Sequence, residues 1–118
     1  MAEISVDDQN LVLHLTASEK LSAMHGDLRA PLSALVGAYV VDDAHGMADF
    51  GVKSVGTQLP GVVEIGSFSG IERLFVVVHR NTPRGVRVAF TGYNYDAWLV
   101  GNHDPEALAD MLMAARTP

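Results

Sequence analysis

Apolar and polar residues alternate along most of this chain, and the spacing turns helical only near its end. From Asn10 to Thr16, Leu11, Leu13 and Leu15 fall on one face and Val12, His14 and Thr16 on the other, as in a half-buried strand. Ser18 to Met24 reads as a short helical turn or a loop opened by Ser18. A strand around His25–Arg29 should stop near Ala30, because Pro31 has no N–H to give to a ladder. Pro31 to Ala34 then forms a tight turn or one helical turn. The strand from Leu35 to Val41 follows, with Val36, Ala38 and Val40 on one face and Tyr39 and Val41 on the other. Beyond an irregular, glycine-punctuated stretch from Asp42 to Gly61, with a brief strand at Phe50–Ser54, the pattern becomes a meander. Its strands are Val62–Phe68, Glu72–His79, Val86–Thr91 and Ala97–Val100. Leu74 to Val78 has no polar face, so that strand is either central and covered twice or offers one face to another subunit.

The helical stretch runs from Asp104 to Arg116. Asp104 suits an N-cap and Pro105 the first helical position, where the missing N–H costs nothing. Leu108, Met111, Leu112 and Ala115 form an i, i+3, i+4, i+7 stripe, and Met113 lies off it. About seven strands and one C-terminal helix predict a mainly β fold in a single domain spanning 1–118.

Composition narrows the function classes. The chain has 118 residues, enough for one core that buries about two-thirds of the unfolded surface. Its net charge of −6 argues against nonspecific binding to nucleic acid or anionic lipid. The absence of cysteine excludes disulfides, thiolate catalysis and cysteine-ligated zinc. The first residues lack the order of a secretory signal and no apolar run would span a bilayer, so a cytoplasmic location is expected.

Specific chemistry is sparse. Five histidines invite a metal search, yet none forms an H-x-H or H-x-x-x-H pair, and neither a metal nor a cofactor is expected. His25 and Asp27 would share a strand face, and His45 and Asp49 lie in the irregular stretch. His79, closing an apolar strand, suits a hydrogen-bonded edge residue. Gly66-Ser67-Phe68-Ser69-Gly70 has phenylalanine where a nucleophile elbow needs serine, and reads as a hairpin turn. Arg80, Arg84 and Arg87 gather three of the eight basic residues in one hairpin. They could dock an anionic partner, or they keep a strand edge soluble.

The phrase Gly26-Asp27-Leu28-Arg29-Ala30-Pro31-Leu32-Ser33-Ala34-Leu35 resembles the strand, proline turn and strand of bacterial pleckstrin-homology-like domains. Gly56-Thr57-Gln58-Leu59-Pro60-Gly61-Val62-Val63 and the ending Tyr95-Asp96-Ala97-Trp98-Leu99-Val100 with Asp104-Pro105-Glu106-Ala107-Leu108 resemble a group of small actinobacterial proteins. The resemblance implies a seven-stranded, bent antiparallel barrel capped by the C-terminal helix. It does not bring phosphoinositide binding with it, because the first hairpin offers only Lys20 beside Glu19, and then Arg29 beyond Asp27.

Two function classes follow. The preferred one is a non-catalytic binding or assembly module with a protein partner or a second copy of itself. The alternative is a small-ligand carrier or small enzyme with a pocket at the barrel mouth near His25, Asp27 and His45.

Overall fold

The computed structural model describes residues 2–23, 26–42, 51–59, 63–70, 73–79 and 82–116, with the backbone alone at 22, 23, 51–59 and 63–70. The chain begins with a hairpin of β1 (Glu3–Asp7) and β2 (Asn10–His14), paired from Glu3↔His14 to Asp7↔Asn10. Asp8 turns it with φ 58°, a left-handed conformation that aspartate tolerates better than most residues. After the short helix α1 (Ala17–Ala23), β3 (Leu28–Pro31) pairs with the other side of β2. Leu11, Leu13, Leu28 and Ala30 line the buried face of this three-stranded sheet.

A 3₁₀ turn at Leu32–Ala34 leads into β4 (Leu35–Val41), so the single helical turn expected after Pro31 is present. Next come β5 (Gly51–Leu59), β6 (Val63–Gly70), β7 (Leu74–His79), β8 (Gly85–Phe90) and β9 (Ala97–Gly101). The chain then enters the helix α2 (Pro105–Ala115). The larger sheet has the order β4-β8-β9-β7-β6-β5.

The fold is mainly β with one C-terminal helix, as expected, but three details differ. There are nine strands among the described residues, not about seven. They form two open sheets of three and six strands and do not close into a barrel. The meander is also broken, because β9 inserts between β7 and β8 and runs parallel to β7, from Leu74↔Ala97 to Val77↔Val100. Both β7 and β9 are apolar on both faces, and a strand of that kind carries no pattern that names its neighbour. Gly66–Gly70 belongs to β6 rather than to a turn, pairing with β5 and β7.

One apolar cluster joins the three-stranded sheet, one face of the larger sheet through Phe75, Val88 and Trp98, and Leu112 of α2. Leu74, Val76, Val78, Ala97 and Leu99 form a second cluster on the opposite face. All of Leu74–Val78 is buried by this chain itself. Of the two expectations for that strand, central and doubly covered is the correct one.

The helix is capped as expected, with Asp104 Oδ1 accepting from the Ala107 amide at 3.2 Å and Pro105 following it. Its buried stripe is rotated, however, to Pro105, Ala109 and Leu112, with Leu108 and Ala115 partly buried and Met111 exposed. The helix packs chiefly on β4.

Close approach also fixes Gly85. A Cβ there would sit 2.2 Å from the Val100 carbonyl oxygen, with backbone atoms of Val100 and Gly101 within 3.0 Å. Gly85→Ala must therefore prise β8 from β9, and we expect a loss of about 1–3 kcal/mol in urea unfolding, the usual scale of overpacking.

Candidate functional site

Thr16-Ala17-Ser18-Glu19 forms a reciprocal capping box at the start of α1. The Glu19 amide donates to Thr16 Oγ1 at 3.2 Å, and the Thr16 amide donates to Glu19 Oε1 at 2.8 Å. The second carboxylate oxygen meets His79 Nε2 at 2.5 Å. Glu19 is fully buried, and burial alone would push its carboxyl up. The hydrogen bonds from His79 and Thr16 outweigh that push and hold it below its ordinary value. One carboxylate thus caps α1 and pins it to the end of β7. His79 is hydrogen-bonded, as its position suggested, but it closes a central strand rather than a sheet edge.

A second polar chain lies on the outer face of the three-stranded sheet. Ser5 Oγ is 2.8 Å from His14 Nε2, and His14 Nδ1 is 3.6 Å from Asp27 Oδ2. Asp27 is itself anchored, since its Oδ1 accepts from the Leu15 amide at 2.9 Å and lies 3.6 Å from Lys20 Nζ. The Leu15 amide is the main cause that holds the Asp27 carboxyl below its ordinary range; burial opposes it, and Lys20 and His14 help. His14 is half exposed, as its outward position implied, but it is engaged rather than merely solvated.

Asp27 is the one residue of the expected His25, Asp27 and His45 group that the structure describes. Both histidines lie outside the described residues. Asp27 is joined by His14 and Ser5 instead. Sequence reasoning missed Ser5 because β1 offers only Ile4 and Val6 as an apolar alternation, too short a run to declare a strand.

The arginine hairpin divides. Arg80 lies outside the described residues. Arg84 is held by Glu106 through both carboxylate oxygens, at 2.7 and 3.2 Å, and by Asp42 at 3.3 Å. These bonds, Glu106 first, raise its pKa and tie the segment before β8 to α2. Arg87 is partly buried in β8, opposite Tyr39 of β4. An anion at Arg84 would have to displace two carboxylates, which favours the reading that Arg84 serves the fold.

Other places offer less chemistry. An open depression of about 470 Å³ lies between Asp8, Gln9, Asn10, Pro31, Leu32 and Ser33, with neither His14 nor Asp27 in its wall. No group of three His, Asp or Glu among the described residues could hold a metal ion. Phe90, Tyr93, Tyr95 and Trp98 form an edge-to-face aromatic group closing one end of the core. Burial pushes the Tyr93 phenol up to about 12, with the nearby Trp98 indole pulling the other way and Tyr95 adding to the push. The buried Trp98 Nε1 nevertheless reaches no acceptor in hydrogen-bond geometry among the described residues.

The seam between β4 and α2 is where apolar side chains face solvent. A bulge between Leu35 and Gly37 throws Val36 out of register, so it is exposed while Ala38 is buried; Val40 keeps the face of Ala38, pairing with Val86 as Ala38 pairs with Val88, but is 39% exposed. The sequence pattern had put all three on one face. Tyr39 is 52% exposed, and its hydroxyl lies 2.6 Å from where a Gly37 Cβ would stand, so the ring folds back along the strand. Met113 is 43% exposed, and its Sδ accepts from the Ala38 amide at 3.3 Å. Arg116 Nη1 donates to the Val36 carbonyl. The free edge of β4 is thus occupied by α2 at two backbone groups, and Val36, Tyr39 and Met113 border the seam.

No helix of the described residues is long and apolar enough to cross a membrane. No protein-family model, no curated protein and no solved structure matches this chain.

Proposed function

We propose that this domain is a non-catalytic binding or assembly module that uses the β4–α2 seam to meet a protein partner or a second copy of itself. The observation that carries the reading is that Val36, Tyr39 and Val40 of β4 and Met113 of α2 are all exposed along a strand edge that the chain's own helix covers, with Tyr39 and Val40 on opposite faces of the strand. Exposed aromatic and methionine side chains supply contact area at low entropic cost and adapt to a partner's shape. Leu74–Val78 lends the reading no support, because this chain buries both faces of that strand.

The resemblance to bacterial pleckstrin-homology-like domains belongs to the same proposal. The strand, 3₁₀ turn and strand about Pro31 and the closing helix speak for it, and the parallel β7–β9 pair speaks against it.

Sedimentation over a micromolar concentration series tests the proposal. Wild-type protein is expected to self-associate or to retain a specific protein partner, and a Tyr39→Glu, Met113→Glu variant should stay folded and lose either contact. A wild type that remains monomeric and retains no partner, or association untouched by the double change, would sink it.

The alternative, a small enzyme, has one observation in its favour, which is the chain of side chains from Ser5 to Asp27. It uses a different face of the molecule.

A further inference from the structure

We propose that Ser5, His14 and Asp27 form a nucleophilic relay that accepts an acyl group from an activated ester onto Ser5 Oγ. The order of atoms is that of a serine nucleophile, its base and the group that orients the base. Ser5 Oγ meets His14 Nε2 at 2.8 Å, within the range for proton transfer. The opposite ring nitrogen, Nδ1, faces Asp27 Oδ2 at 3.6 Å. An ionised carboxylate only accepts, so the tautomer of a neutral imidazole with its proton on Nδ1 is the one that suits Asp27, and it would leave Nε2 to accept from the serine hydroxyl. The Leu15 amide fixes Asp27 at 2.9 Å, which gives the base a defined direction. Half-exposure of His14 leaves the pair open to a reagent.

Ser5 sits in the middle of β1 rather than on a strand-to-helix turn, so no helix N-terminus backs it to gather oxyanion charge. Loss of such donors costs about 10²–10³ in rate, which restricts the substrate class to esters with a good leaving group. In the first step Ser5 Oγ attacks the carbonyl carbon and its proton passes to His14 Nε2. The ester C–O bond breaks, and the leaving oxygen takes the proton from His14. In the second, water attacks the acyl carbon, gives its proton to His14 and releases the acid as Ser5 recovers that proton. Ser5 and His14 are the reacting groups, and Asp27 is a positioning residue.

The test uses the whole chain with p-nitrophenyl acetate, following nitrophenolate release and the acetylated residue by peptide mass spectrometry. Acetate is expected on Ser5, with a burst equal to the protein present. Ser5→Ala should abolish the burst, His14→Gln should slow it by at least about 10²-fold, and Ser33→Ala should leave it unchanged. Asp27→Asn should slow it and Asp27→Glu regain part of the loss, whereas a purely structural role would make the two alike. Ser5 and His14 lie on the outer face, so circular dichroism should find both variants folded. Acetate found on Lys20 or elsewhere with Ser5 unmodified, or an undiminished burst in Ser5→Ala or His14→Gln, would overturn the proposal. The β4–α2 seam plays no part in this reaction, so its outcome is independent of the assembly reading.

Discussion

Leu112→Asp is expected to leave no folded protein at room temperature. Leu112 has no exposed surface and joins the core that both sheets share. An ionised carboxylate there would be buried beside apolar side chains, a cost of several kcal/mol even after the surroundings relax. If the group stayed neutral instead, the chain would still forgo about 1.5–3 kcal/mol of apolar burial and bury a carboxyl that needs partners. Either route removes much of the stability of a small domain, typically about 5–15 kcal/mol. Leu112→Met, which nearly conserves volume, should cost less than about 1.5 kcal/mol. Met111→Asp is the sharper control. Sequence spacing put Met111 on the buried stripe, whereas its side chain is 37% exposed, so that variant should keep the far-ultraviolet spectrum and a cooperative melt. Equal collapse of both variants would mean that α2 is turned the other way.

That contrast shows which parts of the fold were legible. The capped start of α2 was, because an N-cap aspartate followed by proline is a local signal, and local signals survive in sequence. The strand Val86–Thr91 is legible for the same reason, since its strict alternation leaves one choice of face, and Val86, Val88 and Phe90 are buried. Met111 was misplaced because the buried stripe turns to Pro105, Ala109 and Leu112, and no count of apolar residues along one helix reveals its partner's shape. Val36 was misplaced by a bulge, an extra residue that sequence periodicity does not register, whereas Ala38 and Val40 do share a face. The parallel neighbour of β7 was hidden by the uniform apolarity that makes it central.

The candidate sites divide in the same way. Asp27 was noticed through a near neighbour in sequence, yet its partners arrive from β1 and β2, which only the register of the three-stranded sheet brings together. Glu19 escaped notice as a capping residue because Ser18, not Thr16, was taken to open α1. Its partner His79 is 60 residues away, a pairing that tertiary contact alone creates.

The Glu19 pin carries the second large effect. Glu19→Ala removes the acceptor of both the Thr16 amide and His79 Nε2, and leaves the space of a fully buried side chain. Breaking one partner of a buried pair costs about 3–5 kcal/mol, and because His79 is about one-third exposed to water the lower end applies. The loss should depend on pH in a defined direction. The folded protein holds the Glu19 carboxyl below its ordinary value, so the unfolded chain takes up the proton first as acid is added. The stabilisation is therefore complete above the unfolded carboxyl range near pH ~4.3 and is lost as pH falls through the lower folded value. Urea unfolding of wild type and Glu19→Ala should differ most near neutrality and converge in acid. Glu19→Gln can still accept from the Thr16 amide through its carbonyl, so it should be the milder change at neutral pH, and it too should lack the acid-dependent component. A wild type and Glu19→Ala that lose stability in parallel from pH 7 downward would show that the carboxylate does not hold α1 to β7.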